Sequence, residues 1–178
     1  MKTLKTKRLI LRPFTYDDVD DFFEYCQMET VGPNAGWIVH KNKEFSRKII
    51  SSFIEKEDVL AIFHLQDQKV IGSVGLHKKI NKQGVVQYEI GYVLSTPYEG
   101  RGLTTEAVKR VIEHGFIDLD LKEIIVCHFL ENDKSRRVIE KCNFTYLRNI
   151  RYETLNFGIK ESKLYSLKKE NYTKMEEN

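Results

Sequence analysis

Short runs of hydrophobic and polar positions alternate along the chain, and their periods predict strands and helices in turn. The segment Leu9–Arg12 predicts a strand, which Pro13 ends. Thr15 predicts the N-cap of a first helix, because acidic residues fill the turn that follows it. A loop rich in Gly, Pro and Asn, residues 29–40, separates this helix from a second one predicted over Lys43–Glu55. The chain therefore opens as one strand and two helices.

The middle and the end of the chain predict most of a sheet. Three strand-like runs separated by turns predict an antiparallel meander over Val59–Phe63, Val70–His77 and Val85–Leu94. The apolar spacing from Leu103 to Leu119 predicts the longest amphipathic helix. The remaining segments are a fully apolar strand, a short helix and two last strands, predicted over Ile124–Cys127, Asp133–Lys141, Phe144–Arg151 and Ile159–Leu167.

The predicted order is β-α-α-β-β-β-α-β-α-β-β, which indicates an α/β chain. We expect a mixed (α+β), mostly antiparallel sheet with helices on both faces. Residues 1–168 are predicted to form a single domain, since a chain of 178 residues can bury a core without metals or disulfides. Residues 169–178 are predicted to be a polar tail that frays.

Composition excludes several functional classes. The formal charge of +3 is too close to neutral to indicate a nucleic acid or a membrane as the partner. Three cysteines without CxxC spacing make a disulfide framework or a zinc site unexpected and favour a reducing, cytoplasmic setting. The five histidines share no metal-ligand spacing, so no metal site is expected. No apolar run approaches the ~18–20 residues that cross a bilayer.

The turn before the long helix carries the clearest candidate chemistry. Its residues 98–107 read Tyr-Glu-Gly-Arg-Gly-Leu-Thr-Thr-Glu-Ala. Two glycines with one residue between them let the backbone turn sharply, and the helix start that follows offers unpaired N–H groups to a phosphate. An ordinary strand-to-helix loop explains these ten residues about as well. The segment is neither a Walker A loop nor a dinucleotide-binding fingerprint.

Three blocks along the chain together resemble a known family. Residues 89–107, which include Glu89–Leu94 and this turn, resemble the acetyl-CoA-binding core of the GNAT N-acetyltransferase superfamily. The opening Thr6–Pro13 is similar to the start of its ribosomal-protein N-terminal acetyltransferase branch, and Glu131–Phe144 is similar to that branch's ENxxSxxVxEKxGF block. The blocks occur in the family's order between residues 6 and 144, and the resemblance implies a GNAT-type fold.

The resemblance implies acetyl-CoA as the co-substrate and a set of residues that bind it. The turn would hold the pyrophosphate, the strand before it would pair with the pantetheine arm, and the third block would reach the sulfur. These residues are Tyr92, Val93, Leu94, Glu99, Gly100, Arg101, Gly102, Leu103, Thr104, Asn132 and Ser135. Three positions depart from the family pattern: Glu99 replaces Gln or Arg, Thr104 is the last small residue, and Asn143 replaces a glycine. A carboxylate at Glu99 would weaken pyrophosphate binding unless it points away.

The expected reaction is direct transfer of an acetyl group to an amine in a ternary complex. We hypothesise that Glu89 accepts the amine proton, although a strand carboxylate paired with a lysine or arginine is the alternative interpretation. The family's tyrosine proton donor falls on Ile139, which cannot donate, so Ser135 and Tyr92 are the candidate donors. Each also has a structural alternative, as a first-turn helix serine and as an aromatic packed on the sheet.

The sequence indicates the amine substrate less specifically than the co-substrate. Glu89 and Trp37, in the glycine-containing loop 31–37, are the candidate substrate-binding residues, although Trp37 could instead tuck under the first helix. The branch resemblance favours the α-amine of a protein N-terminus, such as that of a ribosomal protein. A small amine (amino acid, polyamine or antibiotic) and a non-catalytic acyl-CoA-binding module are the alternatives. Family members often dimerise through a sheet edge, so a homodimer is compatible with the resemblance.

Overall fold

The computed structural model describes residues 1–81 and 83–176, for residues 173–176 the backbone only. In this part of the chain eight strands form one sheet. They are β1 Leu4–Lys5, β2 Leu9–Pro13, β3 Val59–His64, β4 Lys69–Ile80, β5 Val86–Leu94, β6 Glu123–Phe129, β7 Thr145–Glu153 and β8 Ile159–Lys168. The α-helices are α1 Val19–Cys26, α2 Gly32–Ala35, α3 Lys43–Lys56, α4 Leu103–Glu113, α5 Asp133–Lys141 and α6 Lys169–Glu176.

The strands lie in the order β1-β2-β3-β4-β5-β6-β8-β7. Every neighbouring pair is antiparallel except β5 and β6, which run parallel and share the single register pair Glu89↔Ile125. The mixed, mostly antiparallel sheet predicted from the sequence is therefore confirmed. The parallel pair arises because β5 and β6 are joined through α4, since a crossover connection returns the chain in the same direction.

Two hydrophobic clusters cover the two faces of the sheet. On one face α4 contributes Leu103 and Val111, and α5 contributes Ile139, all almost fully buried. On the other face Phe22 of α1 and Ile50 of α3 are equally buried. These side chains belong to the apolar stripes that the sequence shows at helical spacing, so the stripe of each helix determines which surface it turns to the sheet.

The predicted elements are present, with ends that differ by a few residues, and further short elements accompany them. β1 extends the sheet by two residues, and α2 forms one helical turn inside the loop 29–40. The long helix is α-helical to Glu113 and continues as a π-helical turn over His114–Asp118. In the part of the chain that the structure describes, no helix is both long and apolar enough to span a membrane.

The expectation that the chain frays after Leu167 is wrong for the residues that can be described. Residues 169–176 form α6, and the ring of Tyr172 lies 5.3 Å from that of Phe116 in the π-helical turn. Lys169 also attaches the helix, because its N–H donates to the Lys122 carbonyl over 2.9 Å and its Nζ donates to Asp120 over 2.6 Å. Composition gave no sign of these contacts. Residues 177 and 178 of the predicted tail lie outside the described residues.

Phe116 provides a test of this packing. The side chain is fully buried, so Phe116→Ala should lower the free energy of unfolding by about 3–5 kcal/mol, measured by urea denaturation. Ile117, the next residue of the same turn, is 62% exposed and serves as the control, because Ile117→Ala should change stability by no more than about 0.5 kcal/mol. Equal losses in the two variants would contradict the described packing.

Candidate active site

A cleft of about 660 Å³ opens where β5 and β6 part. The two strands pair only at Glu89 and Ile125, and beyond that point residues 90–94 of β5 and 126–129 of β6 line the cleft. The start of α4, one side of α5 and the α2 segment complete its walls. A volume of this size suits a small-molecule ligand, and its place at the carboxyl ends of a parallel strand pair is where α/β sheets usually bind one.

The turn into α4 is shaped by two left-handed glycines. Gly100 and Gly102 both have φ of 75°, a conformation that residues with a Cβ rarely adopt. The first hydrogen bond of α4 runs from the Glu106 N–H to the Gly102 carbonyl at 3.1 Å. The amides of the residues between them therefore have no partner within the helix, and the positive end of the helix dipole adds to their attraction for an anion. This geometry fits a phosphate-bearing ligand.

Ten of the eleven residues predicted to bind the cofactor line the cleft. The exception is Arg101, whose side chain is exposed and whose guanidinium carbon lies 5.4 Å from the ring centre of Tyr98. Asn143, the residue that replaces a family glycine, has φ of 60°. It therefore adopts the left-handed conformation, which an asparagine tolerates better than most residues with a Cβ.

Glu89 lies at the point where the strands part, and its carboxylate has two partners. The Cys127 thiol donates to Oε1 over 3.2 Å, and Lys79 of β4 forms an ion pair with Oε2. Lys79 also donates to the Tyr152 hydroxyl over 3.2 Å. Burial alone would lower the pKa of Lys79, but the charge and hydrogen bond of Glu89 outweigh it and the pKa is raised. The carboxylate thus lines the cleft and is also ion-paired, so both interpretations of Glu89 describe part of the arrangement.

Two candidate proton donors contact each other on the α5 side of the cleft. The hydroxyl groups of Tyr92 and Ser135 are 2.9 Å apart, and Tyr92 Oη also donates to the Ser135 carbonyl over 3.1 Å. Asn132 caps α5 by accepting from the Ser135 N–H at 3.0 Å, so Ser135 is a first-turn residue and not the cap. Burial raises the pKa of Tyr92, more than its hydrogen bond with Ser135 lowers it. Ile139 is buried in the core and does not line the cleft.

Trp37 packs behind the cleft wall. Its ring lies against the Cα of Gly32, where an added Cβ would come within 2.6 Å, and 5.3 Å from the ring of His40. The residues that this loop contributes to the cleft are Thr30, Val31, Asn34 and Ala35. Of the two placements considered for Trp37, the packed one is therefore observed, and its effect on a ligand would act through these neighbours.

Comparison with known proteins identifies the family. The family model described as "Acetyltransferase (GNAT) domain" matches residues 8–145, more than half of the chain. The chain belongs to the GNAT acetyltransferase family. Uncharacterized N-acetyltransferase YnaD of Bacillus subtilis (strain 168) is 30% identical over 142 residues, which cover 78% of this chain and 79% of YnaD.

Solved structures share the GNAT fold. An acetyltransferase (GNAT family) from Bacillus anthracis matches with a TM-score of 0.84 and 23% identity over 95% of this chain and 99% of that one. Microcin C7 self immunity acetyltransferase MccE, in complex with acetyl-CoA and AMP, has a TM-score of 0.76 and 20% identity over 92% and 93%. Ribosomal-protein-S5-alanine acetyltransferase from Vibrio fischeri has a TM-score of 0.74 and 16% identity over 97% and 99%. The chain is therefore an acetyl-CoA-dependent N-acetyltransferase.

Glu99, where this GNAT turn departs from the family pattern, forms an ion pair with a residue of another element. Lys134, in the first turn of α5, forms an ion pair with Glu99 at 2.5 Å. Arg137 and Lys141 follow on the same helix and also line the cleft. Sequence analysis missed Lys134, because the pair joins two elements 35 residues apart. The charge that Glu99 places beside the turn is therefore neutralised, and the cleft stays electropositive on its α5 side.

This pair predicts opposite effects of two substitutions. Lys134→Ala should weaken acetyl-CoA binding about fivefold and Glu99→Gln should strengthen it by a similar factor, because one charge pair about 4 Å apart in water is worth about 1 kcal/mol. Titration calorimetry measures both, and the effects should shrink at high salt. Lys122→Ala is the control, since Lys122 pairs with Asp120 outside the cleft. Equal affinities for the Lys134 and Lys122 variants would show that the pair has no part in binding.

Proposed function

We propose that this GNAT enzyme transfers the acetyl group of acetyl-CoA to the α-amine of a protein N-terminus, as ribosomal-protein acetyltransferases do. The observation that carries the proposal is the ion pair between Glu89 and Lys79. The negative charge of the Glu89 carboxylate is already matched by the Lys79 ammonium, so the pair offers little net charge to attract a second ammonium. An α-amine, with a pKa of about 7.7–8.0, needs far less help to become neutral than a lysine side chain at about 10.4. The pair therefore favours an α-amine as acceptor.

Two likenesses support the same acceptor. The opening Thr6–Pro13 and the block Glu131–Phe144 resemble the ribosomal-protein branch, and the Vibrio fischeri structure, named for an alanine of ribosomal protein S5, shares the fold. A small-molecule amine is the second candidate, because MccE, an immunity acetyltransferase bound to acetyl-CoA and AMP, matches the fold equally well. Family membership favours catalysis over the non-catalytic acyl-CoA-binding alternative.

In the proposed complex, the turn and two neighbouring elements hold the co-substrate. The amides of residues 100–104 bind the pyrophosphate, whereas the Glu99 N–H already donates to the Thr96 carbonyl over 3.1 Å. Residues 92–94 pair with the pantetheine arm, and Asn132 and Ser135 lie near the sulfur. Acetyl-CoA supplies the acetyl group as a thioester. Its fit rests on the cleft volume, the two left-handed glycines and the unpaired amides at the start of α4.

Two side chains move protons in the proposed mechanism. Glu89 accepts the proton of the incoming ammonium at a carboxylate oxygen, while the Cys127 thiol and Lys79 keep that carboxylate in place. Tyr92 lies across the cleft, and its hydroxyl stays protonated because burial raises its pKa. Ser135 Oγ, 2.9 Å from Tyr92 Oη, orients that hydroxyl from α5. As the new C–N bond forms and the thioester C–S bond breaks, Glu89 takes the amine proton and the Tyr92 hydroxyl gives its proton to the leaving thiolate.

A cytoplasmic setting and a homodimer remain part of the proposal. The described residues include three free cysteines, Cys26, Cys127 and Cys142, which a reducing compartment would preserve.

Replacing Glu89 tests the proton acceptor. Glu89→Gln keeps the shape of the side chain, so it should leave the dissociation constant for acetyl-CoA unchanged and lower kcat by about 10²–10⁴-fold. Steady-state rates across pH, together with calorimetry, measure both quantities. Glu161→Gln is the control, because it alters an exposed strand carboxylate that is paired with Arg151. Its kcat and its dissociation constant for acetyl-CoA should equal those of the wild type. An unchanged rate of Glu89→Gln at every pH would rule out the role of Glu89.

An acceptor panel tests the proposed substrate class. Release of the free thiol from acetyl-CoA is followed with a peptide that begins with a free alanine, and with the same peptide blocked at its N-terminus but carrying an internal lysine. Spermidine and free amino acids complete the panel. We expect turnover only with the free α-amine peptide. Turnover with the blocked peptide would indicate lysine acetylation, and turnover only with the small amines would favour the second candidate.

A further inference from the structure

The opening segment that resembles the ribosomal branch contains an arginine with no part in the mechanism above. The guanidinium of Arg8 contacts two places around the phosphate-binding turn. Nη1 donates to the Arg101 carbonyl over 2.9 Å, within the turn itself. Nε donates to Oε2 of Glu106 over 2.7 Å, just beyond the turn in α4, and Nη2 lies 2.7 Å from the same oxygen. One side chain therefore fastens both ends of the segment 101–106.

Glu106 receives further bonds from the same opening segment. The Arg8 backbone N–H donates to Oε1 over 2.9 Å, and the Thr6 hydroxyl donates to the same oxygen over 2.6 Å. Burial alone would raise the pKa of Glu106, but the bonds from Thr6 and Arg8 outweigh it and the pKa is lowered. The carboxylate thus stays ionised at neutral pH, and Thr6 and Arg8 hold it to the edge of the sheet.

The bond to the Arg101 carbonyl fixes the direction of the next amide. The Arg101 carbonyl and the Gly102 N–H belong to one planar trans peptide unit, in which the two groups point in opposite directions. Because the carbonyl is held toward the Arg8 guanidinium, the Gly102 N–H points away from it, and Gly102 is one of the residues that line the cleft. Glycines on both sides of Arg101 leave this peptide unit free to rotate unless something holds it.

We propose that Arg8 is a positioning residue for the pyrophosphate of acetyl-CoA, because its guanidinium fixes the Arg101–Gly102 peptide and the first turn of α4 in the binding orientation. The inference rests on the proposed role of the turn 99–104 and does not depend on the acceptor. It assigns a function to the Thr-Lys-Arg part of the opening segment. Arg8 does not line the cleft, so its proposed effect on the pyrophosphate is indirect.

The same segment offers a matched control in Arg12. That guanidinium forms a two-point ion pair with Asp18, with Nη1–Oδ2 and Nη2–Oδ1 distances of 2.8 and 2.7 Å. It lies over the ring of Phe63 and makes no contact with the turn among its hydrogen bonds and ion pairs in the described chain. Arg12→Ala therefore removes a comparable ion pair from the same opening segment, and any loss of general stability should be at least as large as in Arg8→Ala.

The test compares two acetyl donors on the full chain. Acetyl-CoA carries the pyrophosphate, whereas S-acetylpantetheine lacks it and retains the thioester arm. For Arg8→Ala we expect the dissociation constant of acetyl-CoA to rise about tenfold and that of S-acetylpantetheine to stay unchanged, since one charge-assisted bond holds the turn. In Arg8→Lys the single ammonium can reach only one of the two acceptors at a time. The dissociation constant of this variant for acetyl-CoA should therefore lie between those of Arg8→Ala and the wild type.

The results separate a positioning role from a structural one. If Arg12→Ala weakens acetyl-CoA binding as much as Arg8→Ala does, or if Arg8→Ala weakens both donors equally, the proposal is wrong and the ion pair serves general stability. Weak wild-type binding with no preference for acetyl-CoA over S-acetylpantetheine would overturn the role of the turn and that of Arg8 with it. The proposed acceptor is unaffected by any of these outcomes, because no acceptor is present in the titration.

Discussion

The parting of β5 and β6 is the constraint on which the rest of the site depends. A parallel pair normally continues its ladder of hydrogen bonds, yet here the register consists of Glu89↔Ile125 alone. Backbone groups of β5 beyond this point face open space, and such groups require partners. A pantetheine arm carries amides of its own and can supply them. Every other part of the site, from the turn at the start of α4 to the hydroxyl groups of Tyr92 and Ser135, is arranged around that gap.

Paired charges keep the cleft usable by an anionic co-substrate. Two carboxylates, those of Glu89 and Glu99, line the cleft, and each meets a lysine from a different element of the fold. Lys79 comes from β4 and Lys134 from α5, so the two pairs link the walls of the cleft as well as neutralising it. In the proposed mechanism the pair of the buried Glu89 carboxylate serves proton transfer, whereas the more exposed pair at the turn is expected to affect the strength of anion binding, since solvent screens it.

The helices and turns that depend on the spacing of nearby residues could be predicted from the sequence. The apolar stripes of α1, α3 and α4 and the turns between β3, β4 and β5 are set by neighbours a few residues away, and these elements were predicted correctly. The partner of Glu89 was within reach of the same reasoning, because counting the register of the β4–β5 hairpin places Lys79 diagonal to it. The partner of Glu99 and the contacts of Arg8 join separate elements, so no local pattern indicates them. The helix α6 was missed because its contacts, such as those of Tyr172 with Phe116 and of Lys169 with Asp120, join it to residues far away in the sequence.

The contact between Arg8 and Glu106 also bears on how the enzyme is made. Arg8 lies just before β2, and Glu106 follows it by 98 positions. During synthesis Arg8 therefore leaves the ribosome well before its partners Arg101 and Glu106. Long-range contacts of this kind form late, because the entropy of closing a long loop must be overcome before they contribute. On the proposed role of Arg8, a nascent chain would bind acetyl-CoA with full affinity only once this contact has formed.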